Sequence, residues 1–198
     1  MRLQSLKSLA AATVLSMAGV AQGTTITFDS LANPGEWQYT SDTYVEQGYS
    51  FAATLRTNGY SLYSYGATDP LNADPTGATL SENYDDEAVV VSRTQGGSFT
   101  LASFDLAYNP DEGSSGLVRF DYTDAQGTHS ANLSFTDQYV LHTFVFDYAG
   151  LTSFTLWGDD FQLDNVVVQA QANAVPEPAT WLLLTAGLAF LLGRRKAS

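Results

Sequence analysis

Tyr60, Tyr63 and Tyr65 fall in the run Asn58-Gly-Tyr-Ser-Leu-Tyr-Ser-Tyr65, and phenol rings so closely spaced suit stacking on the apolar face of a sugar ring. Trp37, Tyr39 and Trp157 are further rings able to join such a platform. Against this stands a plainer reading. Aromatic residues make up 13% of the chain, and in a β-sandwich most of them must be core or strand surface. The tyrosine trio is the preferred ligand-binding candidate because segment 57–86, punctuated by Gly, Asn and Pro, reads as a long functional loop.

Other reactive types are sparse. Asp85-Asp86-Glu87 is compact enough to attract a surface cation, although three adjacent carboxylates before a strand are ordinarily a solvated loop. His129 and His142 are the only histidines and fall in separate predicted strands, too few ligands for a catalytic metal. Asn132-Leu-Ser134 matches a glycosylation acceptor but carries no weight by itself. The chain has no cysteine, no Gly-x-Ser-x-Gly, no His-Glu-x-x-His and no phosphate loop, so the commonest nucleophile, zinc and nucleotide signatures are missing. No catalytic residue is assigned, and a non-enzymatic protein is expected. A polysaccharide hydrolase stays open as an alternative, since its two carboxylates need only meet in space.

The elements that must position these side chains are strands. Short alternating runs rich in Val, Thr, Phe and Tyr, bounded by Gly, Asn, Asp and Pro, predict nine: 25–28, 48–55, 88–93, 97–107, 117–122, 129–135, 139–146, 153–157 and 161–168. Asp124 to Gly127 supply turn chemistry for a hairpin between residues 118 and 135. Nine strands in one domain close most naturally as an all-β, two-sheet antiparallel jelly-roll sandwich, with an immunoglobulin-like sandwich as the alternative.

Both ends of the chain differ from this text. Arg2 and Lys7 precede an apolar stretch from Leu9 to Ala21 with small residues after it, which predicts a signal peptide over residues 1–23. Residues 24–174 then form one cargo domain. At the other end Val175-Pro-Glu-Pro178 is a stiff extended spacer. The uncharged run 179–193 follows, a helix of roughly 22 Å at about 1.5 Å per residue. Trp181 and the cluster Arg194, Arg195 and Lys196 would seat so short a span in the inner membrane, the arginines snorkelling and the C-terminus inside.

With both ends set aside the cargo keeps three arginines against twenty acidic residues, a net of −17, and no lysine. That charge disfavours nucleic acid as a partner and favours solubility, cations and neutral glycans. Without cysteine there are no disulfides, so the domain must be held by its core, helped by a cation where one binds.

Two resemblances add to these readings. The order Val175-Pro176-Glu177-Pro178, short apolar run, Arg194-Arg195-Lys196 resembles the PEP-CTERM sorting signal of bacteria with an outer membrane. It implies export with signal peptidase as a partner, transient anchorage in the inner membrane, and cleavage near Pro-Glu-Pro by an exosortase. Release to the cell surface, extracellular polysaccharide or biofilm matrix would follow. Ile26-Thr-Phe-Asp-Ser-Leu31, followed by Trp37, and Phe161-Gln-Leu-Asp-Asn-Val-Val-Val168 resemble the first and last strands of galactose-binding-like jelly rolls, including carbohydrate-binding modules. That resemblance implies adjacent first and last strands and a structural Ca²⁺ held by Asp29 and Asp164, with polysaccharide as an alternative ligand. The rival reading leaves Asp29 solvated and Asp164 accepting backbone N–H bonds.

Overall fold

Alternating apolar residues build two packed layers of strands. The computed structural model describes residues 23–32, 37–55, 61–82, 88–108, 116–158 and 161–171. Its strands are β1 (Thr24–Ile26), β2 (Gln38–Ser41), β3 (Thr43–Glu46), β4 (Tyr49–Ala53), β5 (Leu62–Tyr65), β6 (Thr79–Glu82) and β7 (Ala88–Arg93). They continue with β8 (Phe99–Tyr108), β9 (Leu117–Asp124), β10 (Gly127–Ser134), β11 (His142–Leu151), β12 (Ser153–Trp157) and β13 (Phe161–Ala170). One sheet runs β11-β8-β13-β6-β5-β2, with β1 also paired to β13, and the other runs β10-β9-β12-β7-β4-β3. Every pairing between these strands is antiparallel, and the architecture is the expected jelly-roll sandwich.

Phenylalanines join the layers. Phe104 of β8 stacks on Phe154 of β12 at 5.8 Å between ring centroids and meets Phe120 of β9 edge-on at 5.6 Å. Phe99 of β8 packs against Tyr49 of β4 at 5.4 Å, and Phe28 against Phe51 of β4 at 5.0 Å. These phenylalanines are fully buried. The burial follows from period two: in β4, Tyr49, Phe51 and Ala53 point inward while Ser50 and Ala52 do not.

First and last strands are neighbours, as the resemblance implied: Thr24, Thr25 and Ile26 pair with Val168, Val167 and Val166. The hairpin at Asp124 also forms, with Asp124 Oδ1 accepting N–H bonds from Gln126 and Gly127. Segment 57–86 is not a long loop, however. It contains β5 and β6, which escape a period-two reading because all four residues of each are buried. Strands β2 and β3 were also unforeseen, being short and largely on the surface. Strand β11 runs past Phe146 to Leu151 through register shifts, with Asp147 and Gly150 at φ 55° and 78°. The signal-peptide segment up to residue 22, Asp85-Asp86-Glu87, and the spacer, apolar run and basic stop from Val175 onward lie outside the described residues. Among the described residues no helix is long and apolar enough to cross a membrane.

Phe104→Ala removes the ring that contacts both Phe120 and Phe154 and leaves a cavity between the sheets. It should cost about 3–5 kcal/mol in chemical denaturation; a loss below about 1 kcal/mol would show that the sheets are held together elsewhere.

Candidate functional site

The candidate site starts at β13, where Asp164 sits in register with Asp105 of β8. Like charges directly opposite each other weaken a sheet, and a local device offsets this. Asn165 takes the left-handed conformation at φ 47°, where the β8 register shifts. From there its Nδ2 donates to Asp105 Oδ2 at 2.9 Å and to Asp164 Oδ2 at 3.2 Å, and its backbone N–H donates to Asp164 Oδ1 at 2.7 Å. The Asp-Asn pair in the last-strand motif is therefore a built irregularity within β13.

A connection between β5 and β6 brings two further carboxylates. Gln162 of β13 holds it: Gln162 Nε2 donates to the carbonyl of Leu71, and Gln162 Oε1 accepts from the Ala73 N–H and the Thr79 hydroxyl. Asn72 ties the same turn internally, its Nδ2 reaching the carbonyls of Gly66, Asp74 and Gly77. Asp74 is thereby set facing Asp29, which begins a 3-10 turn, Asp29–Leu31, just after β1. A methyl group on Gly77 would collide with Asp29 Oδ1 and lie 2.5 Å from Asp74 Oδ2. The two carboxylates crowd one point, so a side chain at position 77 would displace at least one of them.

Burial pushes the Asp164 carboxyl up to about 8, the Asn165 N–H pulling it back and Asp74, Asp105 and Asp29 adding to the rise. Asp164 is 1% exposed, so its negative form would be desolvated. The donor set suits Ca²⁺, which takes hard oxygens in a flexible shell. Among the described residues no group of three or more His, Asp or Glu side chains is placed to hold a metal by itself. Backbone and water oxygens would have to complete a shell begun by Asp29 and Asp74. The sequence motifs pointed to Asp29 and Asp164; Asp74 and Asp105 carried no signal beyond the turn-rich run Asn72-Ala-Asp-Pro-Thr-Gly77.

The aromatic residues divide differently from the sequence expectation. Tyr60 lies outside the described residues. Tyr63 and Tyr65 lie in β5 with only 8% and 3% exposure, packed edge to face at 5.2 Å. They cannot present ring faces to a solvent-borne ligand as placed. Trp37 and Tyr39 are the exposed rings beside them, at 48% and 43%. Their rings meet at 5.2 Å and 81°, and Trp37 also touches Tyr63 at 6.2 Å. Asp69 fixes this corner by accepting the Trp37 N–H at 2.8 Å through Oδ2 and the Leu71 N–H through Oδ1. Trp157 is covered, with the Arg119 guanidinium 4.6 Å above its ring and Arg119 paired with Asp121. His129 and His142 lie on β10 and β11, paired with Asp124 and Asp137 rather than with each other.

Residues 174–196 match the PEP-CTERM protein-sorting motif, so the chain carries a sorting motif in its C-terminal segment. No curated protein matches the chain. Among solved structures, a mutant of a family 29 carbohydrate-binding module is 16% identical, over 76% of this chain and 92% of that one, with a TM-score of 0.35. A second mutant of a family 29 module is 15% identical, over 75% and 91%, with a TM-score of 0.34. The C-terminal domain of a chitobiase from Bacteroides fragilis is 9% identical, over 67% and 98%, at 0.34. Likeness at this level does not identify a ligand.

The Asp164 environment makes a pH test. In metal-free buffer the unfolded chain loses this proton near pH 4 while the folded chain keeps it to about 8, so stability should fall as pH rises between those values and level off above. Asp164→Asn should flatten that slope. Millimolar Ca²⁺ at pH 7 should raise the melting temperature of the parent and not of Asp164→Ala; an insensitive parent would remove Ca²⁺ from the site.

Proposed function

We propose that this protein is exported and handed by its tail to an exosortase, then released to the cell surface or extracellular polysaccharide as a non-enzymatic, matrix-associated sandwich domain. The match of residues 174–196 to the sorting motif is the observation that carries this reading. Val175 to Pro178 would serve as the spacer for cleavage, and Arg194, Arg195 and Lys196 would stop the apolar run at the cytoplasmic face. Signal peptidase removes residues 1–23, and the inner membrane holds the chain only transiently. Ca²⁺, begun by Asp29 and Asp74 and felt by Asp164, would be structural: it neutralises carboxylates that crowd one another and ties β1 to the connection before β6. The cargo charge of −17 supports a soluble life outside the cell without nucleic-acid partners.

A second reading, a carbohydrate-binding module, is favoured by Trp37 and Tyr39. Their rings are nearly perpendicular, so they cannot stack on one sugar face together. Trp37 would stack, and Tyr39 would border the same ring from the side. Tyr63 supports both from beneath, which converts the tyrosine run from a platform into its foundation.

Intact-mass spectrometry tests the sorting reading. The native protein should lack residues 1–23 and the segment Trp181 to Lys196, and an exosortase deletion should restore the tail. A tail retained in the parent strain would make the protein a permanent single-span anchor. Glycan arrays test the second reading: binding should weaken about five- to tenfold in Trp37→Ala, the loss of about 1 kcal/mol of ring contact. An unchanged array signal in that variant would exclude the corner as a glycan site.

A further inference from the structure

At the opposite end of the sandwich from Asp164 lies a cavity of about 340 Å³ whose lining includes Thr24, Gln47, Tyr49, Arg93, Thr94 and Gln95. Asp164 and Ala170, the latter at its rim, are six steps apart along β13, roughly 20 Å of strand. Tyr49 and Arg93 are directly paired across β4 and β7, so their side chains share the inner face. The adjoining turn is firm: Gln47 and Gly48 take φ of 49° and 81°, a two-residue hairpin, and both the N–H and hydroxyl of Thr94 donate to the Gly48 carbonyl at 3.0 Å.

The Tyr49 hydroxyl is buried without a hydrogen-bond partner among the described residues and offers no surface to a ligand. The charged group that the cavity presents is Arg93. Arg93 donates Nη1 to the Ser98 carbonyl at 3.3 Å and forms no ion pair among the described residues. In a cargo with twenty carboxylates and three arginines, a half-buried guanidinium without a carboxylate is an anomaly. Arg119, by contrast, is engaged with Asp121 and Trp157.

We propose that this cavity binds a carboxylated sugar of the uronic-acid class, with the ligand carboxylate held by Arg93. The guanidinium presents parallel N–H donors that fit a carboxylate. The rest of the lining named above consists of neutral amides and hydroxyls, groups that both donate and accept, as a ring bearing several hydroxyls requires. The volume falls at the small end for ligand pockets, room for one sugar unit at the end of a chain or along its edge. The inference deepens the matrix reading above and rests on it for its biological setting: an acidic exopolysaccharide would be gripped through the Arg93 guanidinium.

Isothermal titration calorimetry of the detergent-purified full chain with sodium glucuronate, glucose and acetate tests the proposal without assuming any matrix association. Glucuronate should bind at millimolar concentration, with glucose and acetate each about tenfold weaker, since each lacks half of the recognised chemistry. Arg93→Gln should weaken glucuronate about tenfold or more, and raised salt should weaken the parent. Arg93→Lys keeps the positive charge and loses the parallel fork; it should weaken glucuronate about fivefold while leaving the melting temperature near that of the parent. This variant decides the matter if Arg93→Gln does not fold. Absence of glucuronate binding, equal binding of glucose or acetate, or unchanged affinity in Arg93→Lys overturns the proposal. A protein that binds glucuronate in this way but never reaches the matrix would sink the sorting reading alone.

Discussion

The structure depends on the phenylalanine seam between its sheets. No cysteine is available to staple the layers, so the sandwich coheres through apolar burial, and Phe104 from one sheet meeting Phe120 and Phe154 from the other is the centre of that contact. A tightly packed centre leaves the polar chemistry to the margins. The carboxylates of Asp29, Asp74, Asp105 and Asp164 collect at one end and the Arg93 cavity at the other, with the aromatic corner of Trp37 and Tyr39 along an edge.

The two ends are electrostatic opposites. At the first, negative groups exceed what local donors can neutralise; Asn165 bridges Asp105 and Asp164, but Asp29 and Asp74 still crowd one point over Gly77. At the second, the Arg93 guanidinium has donors to spare. A chain this acidic would be expected to cover its few arginines, and it does so for Arg119 but not for Arg93.

Much of the fold was legible because period two is easily read where one face is buried and the other is wet. Residues 88–93 and 153–157 are strands with the bounds expected from alternation, and β1 beside β13 follows the paired end motifs. β5 and β6 were opaque for a physical reason: a strand buried on both faces has no alternation to show, and the glycines and prolines around these two imitate a loop. The same error misplaced the tyrosines. Tyr63 and Tyr65 drew attention as loop residues, whereas the strand buries them and leaves Trp37 and Tyr39 outside. Asp164 was visible through its motif; Asp74 was not, because its position depends on Gln162 holding a connection some ninety residues distant in sequence. The Arg93 cavity was invisible for the same kind of reason, being assembled by the pairing of β4 with β7 and by the meeting of both domain ends.

Strand β13 also has a mechanical role. It is the last strand among the described residues, and it lies inside its sheet, bonded along one side to β8 and along the other to β6 and β1. A pull on the tail, directed along the strand against a load at the far end, would have to shear many ladder bonds at once instead of opening them one by one. The ladders on both sides of β13 thus resist a force applied beyond Ala170, and with both its edges paired β13 offers no free edge to which another copy could add.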